Sequence, residues 1–372
     1  MKKNILLILV VSFIVLLSVR KGNTQSYYLE GKEWWFTDAG VLGGGLTTYF
    51  ISDYATQVTI EYPLGSGTDT TIYTVSGVMT TLPVDPSYNH NLLSRNQIRD
   101  YGIRVTSCKP GFMFYARDGF ANSTATYLIP LDKLDKHYVV TGLKENHFTN
   151  DGNPFDQPTE FVIVATEDNT NITFVGRDTS AGSFPATIPD TLRFILNRGQ
   201  TYRCTRSMNY SIGDFVGVTG SEVISDKPIA VFASGHPSVC GNEDDVSEQT
   251  PPYKLWGKRY ITAQSIPRGI PICTSGSSAD YIEILAGPNP TTVTVQGATT
   301  TIYNLKPFHS TRHIVPSGSL SCSPLLYFDN GEANTIITAD YPVMIHQIMQ
   351  SSNAANNFQG DPSVITVFPE ST

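Results

Sequence analysis

The residues of this chain that could most clearly carry out chemistry are carboxylates that lie in a single stretch. The segment GNEDDVSEQ contains Glu243, Asp244, Asp245 and Glu248, and carboxylate oxygens are the ligands that Ca²⁺ prefers. The spacing is not that of an EF-hand loop, so a solvated acidic loop is the competing interpretation. These four residues are therefore candidate calcium ligands, and we expect no cofactor other than, at most, calcium.

Catalytic chemistry has weaker support in the sequence. His236 and Cys240 lie four residues apart, but no third group that would orient the histidine is evident. The chain contains no GxSxG elbow, HExxH motif or Walker loop. The sequence predicts a protein that is not an enzyme. A glycoside hydrolase is the least favoured alternative, because two carboxylates can converge without a sequence signature.

The cysteines suggest disulfides if the chain folds in an oxidising compartment. None of the five lies in a CxxC motif, so a zinc cluster is not expected. We expect one or two disulfides and at least one remaining thiol. The favoured pair is Cys273 with Cys322.

Three sequons could carry N-linked glycans in a eukaryotic host: Asn122, Asn171 and Asn209. Asn171 is the strongest candidate, because strand alternation places Ile172 and Phe174 on one face and Asn171 on the other.

The first segment predicts export from the cell. Lys2 and Lys3 precede an apolar run from Ile5 to Val19, which is a secretory signal pattern. A membrane anchor is the runner-up, but the run is shorter than the ~20 residues that a bilayer span needs. We expect residues 1–24 to be a signal peptide and residues 25–372 to be the secreted domain.

Charge excludes one class of partner. Loss of the signal peptide removes four basic residues and no acid, which takes the formal net charge from −8 to −12. Nucleic-acid binders carry a basic footprint, so we expect no nucleic-acid partner.

The elements that position these residues are short strands. Apolar residues make up 40% of the chain and charged residues 16%, with 30 glycines and 23 prolines, a composition typical of a turn-rich β protein. Apolar runs and turn residues alternate at the spacing of antiparallel sheets. The fold class is therefore predicted to be all-β.

Three elements of the sequence recur in the same order. One is a strand, a polar turn and a second strand: TTYFISDYATQVTIEY, EFVIVATEDNTNITF and DYIEILAGPNPTTVTV. Another is two strands around a proline, at Pro110, Pro228 and Pro342, where we expect a tight turn. The body is thus predicted to be three tandem antiparallel repeats of about 115 residues, which span approximately residues 31–126, 127–243 and 244–348, with 361–372 as a closing strand.

The order of the segments within the repeats favours a closed arrangement. Linkers precede the second and third repeats, whereas the matching segment of the first stands at the end of the chain, in DPSVITVFPEST. Each repeat has room for about eight strands, or two four-stranded blades. A propeller-like ring is favoured, and a row of three β-sandwiches is the alternative.

Several motifs resemble the N-terminal domain of the IgGFc-binding protein family: GIRVTSCKP, TEFVIVATEDNTNITF, ILNRGQTYRC, SDKPIAVFASGH and EQTPPYKLWGKRYITA. The resemblance implies a secreted domain associated with immunoglobulin Fc and with mucin gels. In the segment after SGH, the family carries paired cysteines, whereas this chain has Cys240 alone.

These observations predict a secreted, non-enzymatic binding or adhesion protein. Its expected partner is an extracellular glycoprotein, a mucus or matrix component, or a microbial surface. A carbohydrate-binding lectin assisted by calcium is the main alternative. No membrane span is expected after the signal peptide, and the oligomeric state is left open.

Overall fold

The computed structural model of the chain describes residues 30–39, 45–65, 67–85, 96–118, 123–141, 160–177, 191–205, 218–235, 238–239, 242–243, 246–263, 281–297, 299–314, 334–349 and 363–370. The regular structure of these residues is β-strand, apart from single 3₁₀ turns at Leu131–Lys133 and Tyr253–Leu255.

The first sheet is built around one long strand. Its members are β1 (Gly31–Phe36), β2 (Gly45–Ile51), β3 (Gln57–Glu61), β4 (Thr70–Tyr73), β5 (Thr80–Pro83), β7 (Ile103–Asp118) and β8 (Ser123–Tyr127). The first half of β7 pairs with β1 and β3, and its second half pairs with β2 and β8. With β4 and β5 at the edges, the result is two four-stranded layers that share β7.

The other two sheets repeat this plan. The second contains β6 (Ile98–Arg99), β9 (Asp135–Val139), β10 (Glu160–Ala165), β11 (Thr170–Val175), β12 (Thr191–Leu196), β13 (Thr201–Thr205), β14 (Glu222–Gly235) and β17 (Val246–Gln249). The third contains β18 (Gly257–Ala263), β19 (Tyr281–Ala286), β20 (Thr291–Gln296), β21 (Thr300–Leu305), β22 (Ser310–Ile314), β23 (Asn334–Met349) and β24 (Ser363–Val367). A small hairpin joins β15 (Ser238–Val239) to β16 (Asn242–Glu243). The three sheets with their turns are termed repeats 1, 2 and 3.

The repeated prolines lie inside the long strands β7, β14 and β23. The sequence predicted a tight turn between two strands; instead, each proline stands within one continuous strand, where the pairing with β1, β9 or β18 shifts in register. Proline has no N–H, so the ladder can be interrupted there without leaving an unpaired donor. The irregularity bends the strand, which lets one strand serve two layers.

Repeats 2 and 3 each have an apolar core formed by their own residues, whereas the core of repeat 1 continues into β10 and β14 of repeat 2. In repeat 1 the neighbours Trp34 and Trp35 point to opposite faces, and both are almost completely buried. Trp34 packs edge-on against Phe50 in the core. Arg104 and Arg198 cover the ring of Trp35 from 5.9 and 5.4 Å, so both faces of β1 are shielded from water.

The repeats meet at a common centre. β17 of repeat 2 packs against β8 of repeat 1 on one side and β24 of repeat 3 on the other. Phe368, which follows β24, packs against the core of repeat 1. The predicted all-β, ring-like fold of three antiparallel repeats is confirmed. The closing strand β24 pairs with β23, and β1 pairs with β7, so the final strand completes repeat 3 instead of pairing with the first strand.

Candidate binding surface

Glu248, one of the candidate calcium ligands, lies at the centre where the repeats meet. Its Oε2 accepts a hydrogen bond from Thr126 Oγ1 at 2.7 Å and one from Thr366 Oγ1 at 3.4 Å. Burial raises the pKa of Glu248 to about 8, although both hydrogen bonds oppose the rise. This carboxyl group therefore joins β8, β17 and β24 and is enclosed within the fold.

The other acidic candidates are only partly placed. Glu243 is in β16, opposite Ser238 of β15, whereas Asp244 and Asp245 are outside the described residues. In the described part of the chain, no three His, Cys, Asp or Glu side chains form a group that could hold a metal ion. Calcium binding by this stretch stays a prediction.

The sequon at Asn171 is on the exposed side of β11. Its backbone N–H and its Nδ2 donate hydrogen bonds to the two carboxylate oxygens of Asp226, at 2.8 and 2.6 Å. These hydrogen bonds hold the pKa of Asp226 below its ordinary value. Asn122 and Asn209 are outside the described residues, and glycosylation at all three positions stays a prediction.

The structure describes two of the five cysteines, exposed Cys108 with a free thiol and buried Cys204. The predicted disulfide partners Cys273 and Cys322 are outside the described residues, and so are His236 and Cys240. The Cys273–Cys322 disulfide stays a prediction.

The most exposed apolar side chains of the described surface include four at one end of repeat 1. We term this set the apolar tip, and it consists of Tyr54, Tyr73, Val75 and Val78, whose exposed fractions are 53%, 79%, 63% and 52%. Tyr54 is in the turn between β2 and β3, and Val75 and Val78 are in the turn between β4 and β5. Large apolar side chains that cluster on a surface mark interaction sites.

Hydrogen bonds hold the two turns of the apolar tip together. Thr74 N–H donates to the carbonyl of Thr56 at 2.8 Å, and Gly77 N–H donates to the carbonyl of Ser52 at 2.8 Å. Ser76 Oγ donates to the carbonyl of Asp53 at 2.6 Å. The apolar side chains therefore project from a backbone that is already ordered before any partner binds.

The turn Val75–Val78 has a counterpart in each of the other repeats, Asn197–Gln200 and Lys306–His309. In all three, the N–H of the last residue donates to the carbonyl of the first. The third residue has a positive φ, which is +71° at Gly77, +81° at Gly199 and +62° at Phe308. This is the geometry of a type II turn.

The counterparts in repeats 2 and 3 pack against the preceding repeat. The carbonyl of Gly199 accepts a hydrogen bond from Gly102 N–H at 2.9 Å. The carbonyl of Phe308 approaches Gly220 so closely that a Cβ there would lie 2.2 Å away. A Cβ on Gly77 would meet no heavy atom within 4 Å, so the turn of repeat 1 alone of the three has an open third position.

Sequence reasoning missed the apolar tip. The signal was present, because repeat 1 has the turn SDYATQ where repeat 2 has TEDNTN, and VSGV where repeat 2 has NRGQ. Apolar residues in an exposed turn, where the corresponding turn of repeat 2 is polar, indicate a surface that contacts something other than water.

Comparison with known proteins identifies the relationship of the chain. A family model described as IgGFc binding protein matches residues 124–372, which is two thirds of the chain. No curated protein and no solved structure matches it. In the described residues, no helix is long and apolar enough to span a membrane. By the extent of the family match, the chain belongs to the IgGFc-binding protein family.

Proposed function

We propose that this chain is an extracellular, non-enzymatic binding protein that holds a protein or glycoprotein partner through the apolar tip of repeat 1. The observation that carries the proposal is the exposure of the four side chains of the apolar tip, three on hydrogen-bonded turns and Tyr73 at the end of β4. Family membership supports a binding role, and the secretory signal pattern supports an extracellular location.

The apolar tip has the physical character of a binding site. Tyrosine provides a large apolar area with a polar hydroxyl and is enriched among the residues that dominate interface energies. Because the two turns are fixed to each other by backbone hydrogen bonds, a partner would not have to order them, which lowers the entropic cost of association.

A capture experiment tests the proposal. The chain without residues 1–24 is immobilised, and the probes are immunoglobulin Fc and purified mucin, measured by biolayer interferometry. We expect at least one probe to bind. The double variant Tyr73→Ser, Val75→Ser should weaken that binding at least tenfold, because it removes the two most exposed side chains of the tip.

The matched control is Ile195→Ser, which removes an exposed apolar side chain from the edge strand β12 of repeat 2. We expect this variant to bind both probes as the unmodified chain does. Equal loss in the tip variant and the control variant would contradict a site on repeat 1. Binding that is abolished by a calcium chelator, with the tip variant unaffected, would favour the lectin alternative.

A further inference from the structure

The sequon residue Asn171 lies beside an exposed apolar side chain on the outer face of repeat 2. In the antiparallel pair of β11 and β12, Asn171 stands directly opposite Ile195. Both residues are exposed, and 54% of the Ile195 side chain is accessible. Directly opposite residues share one face of the sheet, with Cβ atoms about 4.5–5.5 Å apart. A group attached to the Asn171 side chain would therefore lie against Ile195.

The strand that carries Ile195 is at an edge of its sheet. Among the described strands of repeat 2, β12 is at the end of the order and pairs with β11 alone. An edge strand presents unpaired N–H and C=O groups to strands of other molecules, and proteins commonly cover such edges or place charges on them. Arg193 supplies an exposed charge in the middle of β12, whereas Ile195 presents an exposed apolar side chain near its end.

Asp226 holds the side chain of Asn171 in a fixed position. The backbone N–H and the Nδ2 of Asn171 donate to the two carboxylate oxygens of Asp226, at 2.8 and 2.6 Å. Nδ2 carries two hydrogens, and N-glycosylation replaces one of them. The remaining hydrogen can still donate to Asp226, so these hydrogen bonds are compatible with a glycan and would restrict its orientation.

This arrangement is specific to repeat 2. The residue that aligns with Asn171 is Gln57 in repeat 1 and Thr292 in repeat 3, because each directly precedes the strand residue paired with the third residue before the repeated proline. Neither Gln57 nor Thr292 can accept an N-linked glycan. The sequon and the exposed isoleucine opposite it thus occur together at one edge of the described structure.

We propose that Asn171 carries an N-linked glycan whose first sugars cover Ile195 and shield the edge strand β12 from pairing with other molecules. The donor is an oligosaccharide on a lipid-linked pyrophosphate. Nδ2 forms a bond to C1 of the first sugar, the bond from C1 to the pyrophosphate oxygen breaks, and Nδ2 releases one proton. Because Asn171 is on repeat 2 and the apolar tip is on repeat 1, this proposal and the proposed function can fail independently.

Peptide mapping tests the modification. The full chain is expressed and secreted from cultured mammalian cells, and the glycans are released with peptide-N-glycosidase, which converts a glycosylated asparagine to aspartate. We expect mass spectrometry to find aspartate at position 171. Thr173→Ala removes the sequon and should abolish this conversion, whereas the matched control Thr173→Ser keeps the sequon and should retain it. An unmodified Asn171 in the secreted unmodified chain would overturn the proposal.

Light scattering at micromolar concentration tests the role of the glycan. We expect scattering to rise severalfold faster for Thr173→Ala than for Thr173→Ser, because the edge of β12 is then uncovered. Adding Ile195→Lys to Thr173→Ala should restore the slow rate, since a charge at an edge opposes strand pairing. Circular dichroism checks that the variants are folded. If Thr173→Ala fails to fold, the unmodified protein treated with peptide-N-glycosidase takes its place, and Ile195→Lys treated in the same way replaces the double variant.

Equal rates for Thr173→Ala and Thr173→Ser would overturn the shielding role of the glycan. Fast scattering that Ile195→Lys does not slow would overturn the assignment of the shielded surface to β12.

Discussion

The two junctions between consecutive repeats share a backbone contact and differ in chemistry. Between repeats 1 and 2 the buried contacts combine an apolar cluster with ion pairs, and this junction is termed the ionic junction. Arg203 pairs with Glu160 in repeat 2, and its Nη2 donates to the carbonyl of Asp38 in repeat 1 at 3.0 Å. Asp38 in turn pairs with Arg117 at 3.0 Å. All four side chains are almost completely buried.

Between repeats 2 and 3 the buried contacts are a hydrogen bond to a carboxylate and an apolar cluster. Thr141 Oγ1 of repeat 2 donates to Glu283 Oε2 of repeat 3 at 2.9 Å. An apolar cluster closes the rest of the junction, formed by Val139, Trp256, Leu285 and Met344. Both junctions thus contain a turn packed on a glycine and an apolar cluster, and the first adds buried ion pairs. The ionic junction should be the more sensitive to loss of a single partner, since a buried charge without its counter-ion is costly.

The largest effect is expected from Arg203→Ala. This change removes the cation from the fully buried Glu160, and removal of one member of a buried pair costs about 3–5 kcal/mol. The free energy of unfolding in urea measures the loss. The control is Arg259→Ala at the exposed pair with Glu370, where about 0–1 kcal/mol is expected. Similar losses in both variants would contradict a special role for the ionic junction.

The next largest loss of stability is expected at Gly220, which contacts the packed turn of repeat 3, in comparison with Gly77 in the open turn of repeat 1. Gly220→Ala places a Cβ 2.2 Å from the carbonyl of Phe308, at a φ of +84°, so we expect a loss of about 2–4 kcal/mol in the free energy of unfolding. Gly77→Ala, at a φ of +71° with no atom within 4 Å, should lose only the conformational part, about 1–2 kcal/mol. Equal losses would show that the contact with Phe308 contributes nothing.

The third effect is a change of stability with pH and is expected at the centre, where Glu248 contacts Thr126 and Thr366. Its folded pKa of about 8 lies above the ordinary value of 4.5, so the folded state holds a proton that the unfolded state has lost between these pH values. Stability should therefore be complete below about pH 4.5 and fall as pH rises towards 8.

Glu248→Gln should remove this slope, because the amide cannot ionise while its oxygen still accepts from Thr126. The free energy of unfolding of both proteins, measured from pH 5 to pH 8.5, tests the expectation. The control is Glu33→Gln, at a partly exposed carboxylate that pairs with Arg104, which should leave the slope in place. Identical pH profiles for the unmodified chain and Glu248→Gln would contradict the assignment.

Much of the fold could be predicted because it is periodic. Repeated prolines and repeated strand patterns indicated three all-β units, since alternation and turn residues are local features of the sequence. The bent strands could not be predicted in the same way. A proline between two apolar runs is compatible with a turn and with a bulge. The bulge is seen only in the structure, where β1, β9 or β18 pairs with the long strand on both sides of its proline.

The candidate site was less accessible to sequence reasoning. Glu248 belongs to an acidic stretch that reads as a solvated loop, but it is buried because β17 lies between β8 and β24. The apolar tip depends on which of three equivalent turns packs against a neighbour, and that is a property of the assembled repeats. Trp35 shows the same limit, because part of its cover comes from Arg198 in a different repeat.

The short strand β6 bears on how this family can evolve. Ile98 and Arg99 precede the long strand of repeat 1, yet they pair with Tyr202 and Thr201 in the sheet of repeat 2. The border between repeats 1 and 2 in the sequence is therefore not the border between their sheets in the structure. Recombination that duplicated or deleted one unit would carry away part of its neighbour's sheet, so the three units are expected to be inherited together.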